Sequence, residues 1–418
     1  MSLRGAPRLS VRPTARGWQA LVAGAVTLLV ARLIGTTQFH QLAYALLTLP
    51  LASLILGIMG SRGLRYSRAL SPGTRITAGR EARLRLLLER SRFRAAKVGV
   101  SDRLPGPREF DFPGSRKNSK IEVPLTFARR GVYELGPAEV KVADPFGLLG
   151  FARRFEERTE VVVYPKVHGL RGFPLRGGNM EAGARGSRGR RGEEFASLRE
   201  YRRGDDRRHI HWKSLARTGE LFVKEFSLQA PRRHTVALDL RREGLRPQED
   251  EVEDAVSAAA SVLTLLAREG LPFRLLGTDG VETGFGSDED SYWEAMRLLA
   301  TARADGVRPL GETVLGERGR LGEGVILVSR TRDDGLPNCV RKLRDAGLSV
   351  IVVVLATHTY RTPPVPGAAT PTVVARDREA EFLRGVGRLE AAGAIVRVVS
   401  HTGGVEGLSG GRGVEVVG

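Results

Sequence analysis

The chain has 418 residues, with 66 Lys and Arg against 47 Asp and Glu and a formal net charge of +19. That length exceeds one ordinary core, so two or three folded units are expected. Arg recurs along the whole chain rather than in one stripe, and aromatics are only 6% of residues, which argues against a stacking platform for single-stranded nucleic acid. Cys339 is the single cysteine, which excludes an intrachain disulfide and a cysteine-based zinc site.

Residues 1–16 form a basic N-terminus carrying Arg4, Arg8, Arg12 and Arg16. Within residues 17–61, Gly17 to Gly35 and Leu42 to Met59 are two apolar runs, each near the roughly 20 residues that cross a bilayer as a helix. Arg32 is the only charge inside either, and it lies near an end, where its head can reach the interface. Arg62, Arg65 and Arg68 follow the second run, while the connector GTTQFHQ carries no Lys or Arg. The positive-inside rule therefore predicts a two-helix membrane hairpin with both termini and all soluble domains in the cytoplasm. Pro50 is tolerated in such a helix and kinks it. A cleaved signal peptide fits less well, because a second apolar run follows at once with no small-x-small site between, and a buried soluble hairpin is the remaining alternative.

Residues 68–168 change to short alternating stretches broken by Pro and Gly. Predicted strands cover 83–88, 97–100, 120–127, 132–135, 139–142 and 160–164, with Ile121, Val123, Leu125 and Phe127 on one side of theirs. The economical solution is a small sandwich of two packed sheets. Asp144-Pro145-Phe146-Gly147 is a turn signal and not a kinase triplet, since the proline separates Asp from Phe. Residues 171–191 are Gly/Arg-rich, with few residues able to anchor a core, and read as a linker or loop.

Residues 192–226 pack Glu, Asp, Arg, His and Trp into one block. A helix starting at Asp206, capped by Asp205 and ended by Gly219, would put Arg208, His211, Trp212, Leu215 and Ala216 on one face. The block resembles, nearly position for position, the signature of a bacterial family known as domain of unknown function 58. The resemblance rests on Glu194-Phe195, Leu198-Arg199, Tyr201, Gly204-Asp205, Arg208, Ile210-His211-Trp212, Ala216-Arg217 and Gly219. Arg129-Arg130-Gly131 and Asp144-Pro145-Phe146-Gly147 look like further family segments.

Residues 234–400 alternate strand and helix, with strands at 234–240, 272–278, 324–329, 348–356 and 394–400 and helices at 249–269, 288–303, 336–346 and 378–392. VILVS and SVIVVVLA are almost continuously apolar, as strands covered on both faces are, so the fold class is α/β with a parallel sheet flanked by helices. Leu221 to Phe226 could add an edge strand. The resemblance implies a von Willebrand factor type A-like domain, whose first strand ends in an Asp-x-Ser-x-Ser metal loop. Here that loop reads Asp239-Leu240-Arg241-Arg242-Glu243, and Arg opposes a divalent ion, so no metal is assigned, with Asp333 and Asp334 as spare carboxylates. Residues 401–418 are a tail.

His209 and His211 stand two apart, which fits neither helical zinc spacing nor HExxH, and no GxxxxGK[ST] or GxSxG occurs. Two readings of the signature remain. Glu194, Asp205 and His211 could act as acid and base, with Arg208 on an anionic substrate, in a hydrolase or nuclease. Alternatively the carboxylates pair with Arg199, Arg208 or Arg217 over a buried Trp212 and Phe195, as a structural lock or docking surface. The second is preferred, with no cofactor and no catalytic residue assigned. The resemblance implies a membrane-anchored, non-catalytic adaptor working with a MoxR-type AAA+ ATPase in envelope-related processes, with other membrane proteins as possible partners. An anionic lipid or nucleic-acid module is the third reading.

Overall fold

The computed structural model describes residues 8–70, 75–89, 97–104, 106–112, 118–175, 193–202, 210–228, 232–242, 249–330, 333–360 and 371–409. The chain divides into two units, Met1–Tyr164 and Pro165–Gly418.

The first unit opens with strand β1 (Arg8–Pro13), then helices α1 (Ala15–Ile34) and α2 (Thr37–Ser61). Thr14 caps α1 by accepting the Gly17 N–H at 3.1 Å, and Gly35 closes it in the left-handed region at φ 76°. Both helices are long and apolar enough to cross a membrane. They pair closely at Gly24, where a Cβ would come within 2.9 Å of Leu47. Their outer faces leave Val26, Leu29, Leu33, Leu51 and Ile55 exposed, as membrane anchoring requires. Residues 8–13, read from the sequence as part of a basic tail, are instead paired with a later strand.

The rest of this unit is antiparallel β structure. It comprises β2 (Arg65–Leu70), β3 (Ile76–Thr77), β4 (Glu81–Glu89), β5 (Lys97–Leu104), β6 (Gly106–Phe112) and β7 (Asn118–Thr126). It continues with β8 (Gly131–Leu135), β9 (Ala138–Ala143), β10 (Leu149–Phe155) and β11 (Thr159–Tyr164). Strand orders are β1-β10-β9-β5-β6, β2-β4-β7 and β3-β11-β8, the β3-β11 pair alone being parallel. Alternation along β4 buries Leu84, Leu86 and Leu88, which meet Val123, Leu125, Phe127, Val98, Val140 and Phe151 in one core. Across that core, Arg68 of β2 grips Asp102 of β5 through both carboxylate oxygens at 2.7 and 2.8 Å, and Tyr66 donates its hydroxyl to the same group. Burial, then the Asp102 bond and charge, pushes the Tyr66 phenol up.

The second unit contains β12 (Glu193–Glu200), α3 (Trp212–Thr218), β13 (Phe222–Leu228), β14 (His234–Leu238), α4 (Glu249–Arg268) and β15 (Phe273–Gly277). Then come α5 (Glu289–Thr301), α6 (Leu310–Gly316), β16 (Gly324–Ser329), α7 (Leu336–Asp345), β17 (Ser349–Leu355), α8 (Pro371–Ala391) and β18 (Ile395–Val399). The five strands β15-β14-β16-β17-β18 are all parallel, in the 2-1-3-4-5 order of a doubly wound sheet. β14, β15 and β16 are buried at every position, the pattern that continuous apolar runs predict. Asp288 caps α5 by accepting the Ser291 N–H at 2.7 Å.

Four expectations need correction. Residues 222–228 do not extend the parallel sheet; β13 pairs with β12 in a separate two-stranded ribbon. Helix α8 begins at Pro371 rather than Arg378, and α6 lies in a stretch with no predicted element. Phe173 and Leu170 are buried, so the start of the Gly/Arg-rich run is anchored; residues 176–191 lie outside the described residues.

Candidate functional site

The signature folds as a ribbon with a short helix set against it. β12 and β13 pair from Glu193↔Leu228 to Glu200↔Phe222, with a register shift between Phe195 and Ser197. Tyr201 N–H bonds Leu221 O and His211 N–H bonds Phe222 O, so the chain leaves and re-enters the ribbon at its β13 end. Ile210 bridges Val223, both nearly inaccessible, and this pairing holds residue 210 extended. A helix from Asp206 through this position is therefore excluded, and α3 starts at Trp212 with His211 at its N-cap. Of the expected shared face, Arg208 lies outside the described residues, and His211 and Trp212 fall at the start of α3 rather than inside a longer helix. Gly219 ends α3 in the left-handed region at φ 75°, as its position predicted.

The signature side chains separate. Glu194, Phe195, Leu198 and Arg199 sit on β12, whose side chains lie outside the described ones, as do Gly204, Asp205 and Arg208 altogether. His211 Nδ1 lies 2.8 Å from Ser214 Oγ, one turn on, which turns the ring back on its own helix. Trp212 is 63% exposed and α3 buries no residue, with Arg217 and Lys213 also exposed. The expected burial of Trp212 under a polar lock is thus overturned. A seven-residue helix lies along β13 by one side and leaves its large aromatic group in solvent.

The other place of interest is the carboxyl end of the parallel sheet, where doubly wound folds bind ligands at the reversal of strand order, here between β14 and β16. Asp239 is fully buried there, and its Oδ1 accepts the Arg241 N–H at 3.0 Å in a tight Asx turn. The following loop is stitched down: Leu240 N–H bonds Thr278 Oγ1 at 2.8 Å, and Arg241 and Gly306 form a bridge. A Cβ on Gly306 would meet Thr278 O at 2.6 Å, so only glycine allows that approach. Arg330, just after β16 and 2% exposed, bonds Glu251 Oε1 of α4 at 3.1 Å and the Arg241 carbonyl.

This donor set does not fit a divalent cation. A fixed guanidinium bonds the loop two residues beyond Asp239, and the positions that would offer hydroxyls are Arg241 and, outside the described residues, Glu243. Asp333 is not a spare ligand: one oxygen accepts the Gly311 N–H at 2.9 Å and the other the Gly335 N–H at 3.0 Å. Among the described residues no cluster of three His, Cys, Asp or Glu could hold a metal.

Beside this point, between α7 and α8, lies a cleft of about 340 Å³. Its walls are Leu336, Val354, Phe382 and Val386, with His358 and Arg378 among its polar groups. His358 packs on Phe382 with centroids 5.1 Å apart, its Nδ1 has no hydrogen-bond partner, and burial pushes its pKa down. No sequence motif announced this cleft, because its lining comes from four separated elements. Cys339 is inaccessible in the core of α7, and burial pushes its thiol up to about 12.

Residues 197–306 match the family model described as Protein of unknown function DUF58. The match begins in the ribbon, takes in the Asp239 turn, and ends at Gly306. The chain is also similar to the uncharacterized protein YeaD of Bacillus subtilis (strain 168), 25% identical over 367 residues, covering 81% of this chain and 88% of the relative.

Proposed function

From a chain that carries a DUF58 region, we propose a membrane-anchored adaptor that works without chemistry of its own, using the signature ribbon and α3 as a docking surface. The partner is a MoxR-type AAA+ ATPase, which the family resemblance implies and which supplies the nucleotide hydrolysis for which this sequence has no phosphate loop. The setting is the cytoplasmic face of the cell membrane, in envelope-related work, with the basic flanks Arg12, Arg16, Arg62 and Arg65 inside and the uncharged connector outside.

One observation carries this reading: Trp212, 63% exposed, on a helix held to a hydrogen-bonded ribbon, beside Lys213 and Arg217. Trp and Arg are the residue types that dominate binding energy at interfaces, and a helix that buries nothing in its own unit has a face to give. In this reading the α/β unit is a von Willebrand factor type A-like module in which Arg330 supplies internally the positive charge that a bound ion gives elsewhere. Hydrogen exchange of the full chain in nanodiscs, with and without a MoxR-type ATPase, tests the surface. Slowed exchange over residues 193–228 is expected. Binding with unchanged exchange there would move docking elsewhere, and no binding would reject the partnership.

A further inference from the structure

The turn Asp144-Pro145-Phe146-Gly147 joins β9 to β10 and lies against the two apolar helices. Asp144 is 3% exposed and fully engaged: Ser53 Oγ of α2 donates to its Oδ2, Phe146 N–H donates to the same oxygen at 3.2 Å, and Leu149 N–H donates to Oδ1 at 3.0 Å. On the α1 side, Thr14 Oγ1 lies 2.8 Å from Gly147 O and 3.0 Å from Leu148 O, and Thr14 N–H bonds Leu148 O at 2.9 Å. One residue on each helix is glycine where the turn and its strand come closest. A Cβ on Gly17 would collide with Leu148 O, and one on Gly57 with the Phe151 ring. Arg153 of β10 completes the join by donating to Ser61 O at 2.8 Å. A carboxylate, a ring and two glycines therefore fix the β domain to one end of the helical hairpin.

That end bears the marks of a bilayer interface. Phe146, at the tip of the turn, is 44% exposed although the residues around it are tied down, and Trp18, one turn into α1, is 59% exposed. Leu9 and Val11 are exposed on β1, on the sheet face shared with Phe151, which packs on α2. Arg12, Arg16, Arg62 and Arg65 are exposed around them. Exposed apolar and aromatic groups together with exposed arginines at the same ends of the helices suit the boundary between acyl chains and anionic headgroups.

We propose that the Asp144–Gly147 turn is a membrane-interface lock, clamping the β domain onto the hairpin and seating Phe146 in the headgroup layer of the bilayer beside Trp18. This rests on α1 and α2 being membrane spans. It gives the Asp-Pro-Phe-Gly segment a purpose: Asp144 holds the turn to α2, Gly147 at φ 71° closes it, and Phe146 is the part that meets lipid.

The test uses the full chain in proteoliposomes of phosphatidylcholine and phosphatidylglycerol brominated high on the acyl chain. One variant carries Trp18→Phe, Trp212→Phe, Trp293→Phe and Phe146→Trp; a second keeps Trp18 as its only tryptophan. The lock predicts that the brominated lipid quenches both reporters to the same extent. Quenching of Trp18 with none at position 146 would overturn the proposal while leaving the spans intact, and quenching of neither would reject the spans and the lock together. Adding Asp144→Asn is expected to reduce quenching at position 146 and leave Trp18 unchanged; no reduction would remove Asp144 from the lock.

Discussion

Arg68 in the first unit and Arg330 in the second are both nearly inaccessible and paired with a carboxylate, and the two are used differently. Arg68 joins β2 of one sheet to β5 of another through a two-point grip on Asp102, deep in the β domain. Arg330 stands at the open end of the parallel sheet, spends one bond on Glu251 and one on the Arg241 carbonyl, and leaves its Nε without a partner. The first is a strut between layers, matched by a whole carboxylate. The second stands at the edge where this kind of fold meets ligands and ties the start of α4 to the loop after β14.

That difference sets the order of expected effects. Asp102→Ala strands a buried guanidinium and is expected to cost the β domain about 3–5 kcal/mol, read as a fall in its urea midpoint in detergent. A loss under about 1 kcal/mol would show that water reaches the site and would remove the distinction. Arg330→Ala leaves Glu251 at a helix N-terminus, where the dipole favours it, so a smaller loss of about 2 kcal/mol is expected in the α/β unit. Added magnesium should not restore the melting temperature of that variant. Restoration would mean that the Asp239 turn keeps a metal-binding donor set.

The smallest effect concerns pH. Burial holds the His234 imidazole below its ordinary value of 6.5, so the folded chain keeps it neutral while the unfolded chain takes up a proton. Stability of the α/β unit is therefore complete above 6.5 and declines as pH falls from there toward the lower folded value. His234→Gln should flatten that decline, and an unchanged slope would assign it to other groups.

What was legible in the sequence follows from how strongly each segment is patterned. β16 and β17 show themselves because strands covered on both faces must be apolar throughout, and α1 and α2 because each holds an apolar run of about 20 residues, long enough to cross a membrane. β1 was hidden because Leu9 and Val11 alternate with Arg8, Ser10 and Arg12, and the charges dominate so short a run. The start of α3 was hidden because an isolated bridge, Ile210 to Val223, overrides local helix preference through a partner outside the periodic window. Arg330 carries no motif at all. Its meaning depends on a fold that brings the ends of β14, β16 and α4 together.

In the proposed function the signature presents a docking surface rather than an active site or an internal lock. The most direct measurement is the affinity of the purified full-length protein for a MoxR-type ATPase, compared between the wild type and Trp212→Ala. Trp212 is 63% exposed, so the variant should keep the wild-type melting temperature and bind at least about 30-fold more weakly, the loss of a hot spot of about 2 kcal/mol. Wild-type affinity in the variant, or a collapse of its melting temperature, would contradict the claim.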